Sequence, residues 1–208
     1  MDIQARIDAI RQLHPTAPEK RRQNRIEDLV AGGFVTIEGK TYQVKSVGYY
    51  LDVRWKDFST RKTDYWVTEL ELFNLHTGER AWLEWEVDDG LEISLTESLV
   101  TIREIHYHGN SLTHAALEEI ADEEAGEVTV NGSSFHYVED DTWAGRYSKD
   151  KRKDGLPMRA YEFEGSRGRY LTIEAWHEDG DERPEREAFL SKQIRPTDME
   201  ILQLACVT

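Results

Sequence analysis

The sequence predicts a mainly β chain: two tandem antiparallel β-meander or small-barrel domains, related by an internal repeat, with short helices at the N-terminus and between the repeats. Three observations predict it. From residue 34 onward apolar and polar residues alternate at period two, the strand period. Turn residues recur at short intervals, so nearly every connection is short, and short connections favour an antiparallel meander that curls or closes. Two blocks also run through the same programme in the same order. Residues 127–132 match 34–39, 134–137 match 41–44, 160–163 match 69–72, 172–180 match 82–90, and 197–201 match 101–105. The offset stays between 90 and 96 residues, so the match is collinear. The implied organisation is an N-terminal helical arm (1–32), a first β-repeat (33–105), a linker and helix (106–125), and a second β-repeat with a C-terminal extension (126–208). Two such copies are expected to pack about a pseudo-two-fold axis.

Each element has its own local reason. Ile3, Ile7, Ile10 and Leu13 lie at helical spacing, and Pro15 and Pro18 end that helix. Residues 19–31 predict a second helix, with Ile26, Leu29 and Val30 apolar and Gly32-Gly33 as its stop. Strands follow at 34–37 and 41–44 around a Glu38-Gly39 turn, then at 47–53. A charged loop covers 54–64, and a fourth strand 65–73. The next strand places Leu83, Trp85 and Val87 on one face and Trp82, Glu84, Glu86 and Asp88 on the other, before an Asp89-Gly90 turn. Strands at 91–95 and 100–105 complete the first block. Residues 106–112 are expected to be a linker, and 113–125 a helix stopped by Gly126.

Composition narrows the function classes. A length of 208 residues suits one large domain or two small ones. The net charge of -15 argues against nucleic acid as the main partner, because phosphate binding needs a basic face. The single cysteine, Cys206, cannot form an internal disulfide, which points to a reduced, cytoplasmic setting. No apolar run approaches the length of a membrane span, and the N-terminus lacks a signal-peptide layout. The one dense basic stretch, with Lys20, Arg21, Arg22 and Arg25, reads first as a solvated or self-docked helix face. The sharper reading is weak contact with an anionic membrane or an acidic partner, at about 1 kcal/mol per basic residue.

Residues 38–44, 66–72 and 82–90 resemble the bacterial domain of unknown function 4178 family. The shared pattern is a Gly-turn strand pair, a Trp-x-x-Glu strand, and a Trp-Leu strand ending in an acidic Gly turn. The likeness covers 30–105 well. It is weaker in the second copy, which has Thr172 opposite Trp82 and Pro157 near the place of Trp66. The resemblance implies no activity, cofactor or catalytic residue. It implies company: such proteins tend to be encoded beside phage-shock-type membrane-stress proteins and polyamine aminopropyltransferases.

Several constellations invite chemistry. His106, His108 and His114 suggest zinc, but a solvated linker explains them more simply. The turns 88–90 and 178–180 offer too few oxygens in too short a loop for calcium. Glu84 and Glu86 are paired carboxylates on one strand face, although such a face also keeps sheet edges from pairing. No phosphate loop, dinucleotide fingerprint or nucleophile elbow occurs, and Cys206 lies past the last repeat element. The basic loop 149–153 aligns with 56–62, so both copies carry basic hairpin loops, an arrangement suited to one acidic partner. No catalytic, cofactor or metal residue is assigned. Trp66, Glu69, Trp82, Glu84, Glu86, Glu174 and Trp176 form the candidate binding surface. The expected function is a non-enzymatic binding or adaptor protein, with another protein as partner, in a membrane-stress or polyamine-related system. The alternative is a small-molecule-binding or hydrolytic domain that uses the acidic, Trp-lined strand face.

Overall fold

The structure is a computed structural model that describes residues 25–177 and 184–203, together with Ile3, Ala5, Ile7 and Ala9, which are helical. In order come β1 (Phe34–Ile37), β2 (Lys40–Val53), β3 (Trp66–Asn74), β4 (Arg80–Val87), β5 (Leu91–Leu99), β6 (Ile105–Tyr107) and β7 (Asn110–Ser111). After helix α1 (His114–Asp122) come β8 (Glu127–Val130), β9 (Ser133–Tyr137), β10 (Trp143–Ser148), β11 (Leu156–Glu164), β12 (Arg169–Trp176), β13 (Glu185–Gln193) and β14 (Met199–Gln203). The chain is mainly β. Eight strands form a closed antiparallel barrel in the order β2-β3-β4-β5-β13-β12-β11-β10, with β10 returning to β2.

Several local expectations are corrected. The helix expected over 19–31 is reduced, within the described residues, to a single 3-10 turn at Ile26–Asp28, and Leu29 is already extended. The strands expected at 41–44 and 47–53 are one continuous strand, β2. The expected strands at 100–105 and 197–201 each begin with a 3-10 turn, Ile102–Glu104 and Pro196–Asp198, before β6 and β14. The linker 106–112 contains the β6–β7 hairpin, turned at His108-Gly109 by two positive φ angles. Of the N-terminal helix, Ile7 is buried and Ile3 exposed. Ile10 and Leu13 lie outside the described residues, as do Lys20, Arg21, Arg22 and Cys206.

The chain divides into two compact units, and each draws on separate stretches of sequence. Unit one comprises Met1–Gly48, Thr68–Ile93 and Ile194–Thr208; unit two comprises Tyr49–Val67 and Ser94–Gln193. In unit one, Leu70 and Leu72 pair with Leu83 and Ala81 across β3–β4, and all four are buried. Burying each leucine contributes ~1.5–3 kcal/mol. In unit two, Phe135, Tyr161, Phe163, Leu171 and Ile173 share a core with Leu117 and Ile120 of α1. Thr113 caps α1 by accepting the Ala116 N–H at 3.1 Å. Gly126 follows because a Cβ there would lie 2.9 Å from the Ile120 side chain.

The pairing of the end strands is exchanged between the two blocks of sequence. In unit one β14 lies on β1, with Ile37 opposite Met199. In unit two β6 lies on β8, with Val130 opposite Ile105. The hairpins starting at β1 and β8 both turn through two left-handed residues, Glu38-Gly39 (φ 47° and 79°) and Asn131-Gly132 (φ 49° and 76°). A β-branched residue at such a φ costs ~1–2 kcal/mol. Gly39→Val and Gly132→Val are each expected to lower stability by about that amount, to similar extents, in urea unfolding; a neutral result at either position would contradict the turn geometry.

Candidate functional site

The polar cluster of unit two grows from one end of an apolar sheet face. Strand alternation puts Phe163, Tyr161 and Arg159 of β11 on the same side. Cross-strand register then sets Arg159, Ala175 and Arg186 in one row across β11, β12 and β13, and Tyr161, Ile173 and Ala188 in the next. His177 continues β12, its N–H donating to Pro157 O at 2.9 Å. Leu117 and Ile120 anchor α1 in the same core, and helical spacing brings Glu118 and His114 to the arginine end.

Glu118 is the hub. Tyr161 Oη donates to its Oε1. Arg159 Nη1 lies 3.5 Å from both carboxylate oxygens, and His114 Nε2 lies 3.9 Å from Oε1. Arg159 Nη2 donates to the Trp55 carbonyl at 3.2 Å. Its guanidinium stacks on two rings, 4.9 Å from the centre of Trp55 and 5.3 Å from that of Phe58. Phe58 also lies 5.1 Å from the His177 ring. Arg146 holds this loop by donating to Phe58 O and Gly155 O, both at 3.1 Å.

Four nitrogens in this cluster are buried and have no hydrogen-bond partner among the described residues: His114 Nδ1, Arg159 Nε, His177 Nε2 and Arg186 Nη1. Burial, reinforced by neighbouring cations, lowers the pKa of His114 and of His177, and both therefore favour the neutral ring. Burial likewise lowers the pKa of Arg186, and no ion pair joins it to a carboxylate among the described residues. Tyr161 is pushed up, first by burial and then by its bond to Glu118, so it stays a phenol. The cluster is open on its helix side, where the His114 and Glu118 side chains are 34% and 35% exposed. Two arginines and two histidines thus surround one carboxylate in a chain whose net charge is -15.

A family model described as a domain of unknown function (DUF4178) matches residues 30–196. The chain belongs to the DUF4178 family. No curated protein and no solved structure matches it. The matched region of this DUF4178 chain contains all six polar side chains of the cluster.

The residues singled out from sequence fall in three places. Glu69, Trp82, Glu84 and Glu86 share one face of β3–β4 in unit one, with Glu69 directly opposite Glu84 and Trp82 opposite Glu71. Glu71 is held by Ser46 at 2.8 Å and Arg80 at 3.3 Å. Trp82 is only half-buried, whereas Leu83 beside it is fully buried, so Leu83 is the core residue of that strand. Trp66 packs beside Leu51, Val53 and Ala144 in unit two, with Lys151 Nζ 5.5 Å from its ring centre. Glu174 is buried on β12, and Trp176, on the same face, joins Tyr50 and Tyr147 at 6.3 and 5.9 Å. Of the basic arm, Arg25 is described, and it pairs with Glu27.

The histidines weighed as a zinc set separate. His106 Nδ1 lies 3.0 Å from Glu104 O, the His108 ring packs 4.0 Å from Tyr107, and His114 turns to Glu118. Among the described residues no three His, Cys, Asp or Glu side chains gather closely enough to hold a metal. Turn 88–90 is exposed, and 178–180 lies outside the described residues. No described helix is long and apolar enough to cross a membrane. Sequence reasoning missed Glu118, Arg159, Tyr161, His177 and Arg186. His114 and Glu118, four apart on an expected helix, were the legible signal; Arg159 alternating with Tyr161 and Phe163 was another.

Proposed function

We propose that this chain is a non-enzymatic binding module whose ligand seats on the Arg159–Ala175–Arg186 row of β11–β13. One observation carries the reading: four buried nitrogens of one side-chain cluster have no partner among the described residues. A buried polar group without a partner costs about 1–3 kcal/mol, and native structures keep such groups chiefly where something else satisfies them. The cluster has donors in excess and no nucleophile beside a free base, which favours holding a molecule over transforming one. The expected test is native mass spectrometry of protein purified gently from its own host. A small molecule should ride on the wild type and depart in Arg186→Met. A bare mass, or a ligand indifferent to Arg186, would remove the reading.

We infer a cytoplasmic setting from the single cysteine and, from the family resemblance, an adaptor-like role within a membrane-stress or polyamine-related system, with another protein as partner. The competing hydrolytic reading rests on the acidic face of β3–β4. Hydrolase screens are expected to return no activity that Glu84→Gln or Glu174→Gln abolishes; one such activity would move the function to that face.

We also infer that residues 33–105 and 126–202 descend from one duplicated β-unit. Supporting this are the matched left-handed turns at Glu38-Gly39 and Asn131-Gly132. The exchange of end strands supports it too: β14, the last strand of the second half, lies on β1, and β6, from the end of the first half, lies on β8.

A further inference from the structure

We propose that the ligand is a small oxyanion with at least two acceptor oxygens, seated over Ala175 between the guanidinium groups of Arg159 and Arg186. This rests on the binding reading above and adds the ligand's chemical class. The argument begins with charge. A partly buried cation left without a counter-charge costs more than a neutral group in the same position, and water supplies acceptors but no charge. Arg159 shares Glu118 with Tyr161 and His114. Arg186 has no carboxylate of its own among the described residues. Among the described residues, one carboxylate therefore serves two permanent cations.

Geometry narrows the ligand. Arg159 and Arg186 stand in register on strands flanking β12, a separation of about 10 Å between backbones. The residue between them is Ala175, a fully buried core residue whose side chain ends at Cβ. Guanidinium forks prefer planar or tetrahedral oxyanions, which they bind through paired N–H donors. Arg159 Nε and Arg186 Nη1 have no acceptor among the described residues, and His177 Nε2 and His114 Nδ1 add two further donors when both rings are protonated. A compact dicarboxylate and a phosphate both meet these needs.

Isothermal titration with succinate, and separately with inorganic phosphate, tests the proposal at constant ionic strength set by chloride. At least one probe should bind saturably at one site, and the one that binds tells carboxylate from phosphoryl chemistry. Arg186→Met should weaken that binding roughly tenfold or more, the worth of a charged hydrogen bond. Arg186→Lys, which keeps the charge and loses the fork, should fall between. Arg186→Met should still fold, because it exchanges an unpaired cation for an apolar chain of similar length. Binding should also be tighter at pH 6 than at pH 8, as His114 and His177, which face Glu118, Tyr161, Arg159 and Arg186, take up protons. No saturable binding of either probe, or equal affinity in Arg186→Met, overturns the anion. A neutral or cationic molecule found by native mass spectrometry, and lost in Arg186→Met, also overturns it while leaving the binding reading intact.

Discussion

Truncating Tyr161 to alanine is expected to be the most damaging single change in unit two, at about 3–5 kcal/mol. Three losses coincide there. Tyr161 is fully buried, so the truncation opens a cavity beneath α1. Its ring meets Trp55 edge-on at 5.2 Å, a contact worth ~0.5–1.5 kcal/mol beyond area. Its hydroxyl donates to Glu118, and without it that carboxylate rests on Arg159 and His114 alone. Tyr161→Phe separates these parts, since it keeps the ring and removes only the charged hydrogen bond. It should cost ~1.5 kcal/mol, near the low end for such bonds because Glu118 can turn to water. Urea unfolding of the two variants checks this. Equal midpoints would mean that the ring contributes nothing, and a neutral Tyr161→Phe would remove Glu118 as the hub.

Acidification should destabilise the folded chain through His114 and His177. Burial and nearby cations lower both pKa values in the fold, whereas an unfolded chain binds the proton at about pH 6.5. Their contribution is therefore fully present above about pH 6.5. It is lost as pH falls from there through the lower folded-state values, and does not change below them. Melting temperature should drop between pH 8 and pH 5, and the double variant His114→Asn, His177→Gln should drop less. Asp52 and Asp141 act in the opposite sense: burial raises their pKa values, so protonation as pH falls favours the fold. The difference between wild type and double variant isolates the histidines, and parallel curves would show that neither ring is held neutral. A bound oxyanion should shrink the drop, because it welcomes the charge that the empty cluster resists.

Gly155→Ala tests the hairpin that carries Arg146 and Arg159. A Cβ on Gly155 would lie 2.1 Å from the Tyr147 carbonyl oxygen, a backbone atom that no rotamer change can move. The expected cost is ~1–3 kcal/mol, with partial loss of the Arg146 bond to Gly155 O. Thermal melting that matches the parent would show the hairpin yields freely.

Local pattern determined a good deal of this protein. Period-two alternation was enough to find β1, β3 and β4, because each strand needs an apolar face whatever it packs against. Leu83 came out on the buried face opposite Trp82 and Glu84 for the same reason. Thr113 marked the start of α1 because capping is a local event, although the helix ends at Asp122, three residues before the expected end at residue 125. Glu38-Gly39 and Asn131-Gly132 announced their turns through residues that tolerate positive φ. What failed locally also has a local cause: basic and apolar residues at 19–31 fit a helix by spacing, yet the described part is a 3-10 turn that runs straight into extended chain.

The cluster around Glu118 was decided only in three dimensions. Each member is ordinary in sequence: an arginine on a strand, a histidine after a tryptophan, a glutamate on a short helix. Arg159 and Arg186 become neighbours in one row because β11, β12 and β13 pair in a particular register, and register depends on all three strands at once. Glu118 reaches Tyr161 because Leu117 and Ile120 seat α1 on that sheet face. Sequence alone determined that the chain is β-rich, acidic and of the DUF4178 kind, since composition, period and turn chemistry are properties of short stretches. Tertiary structure alone decided where its few unpaired cations meet, because burial and pairing are made between residues that the chain keeps far apart.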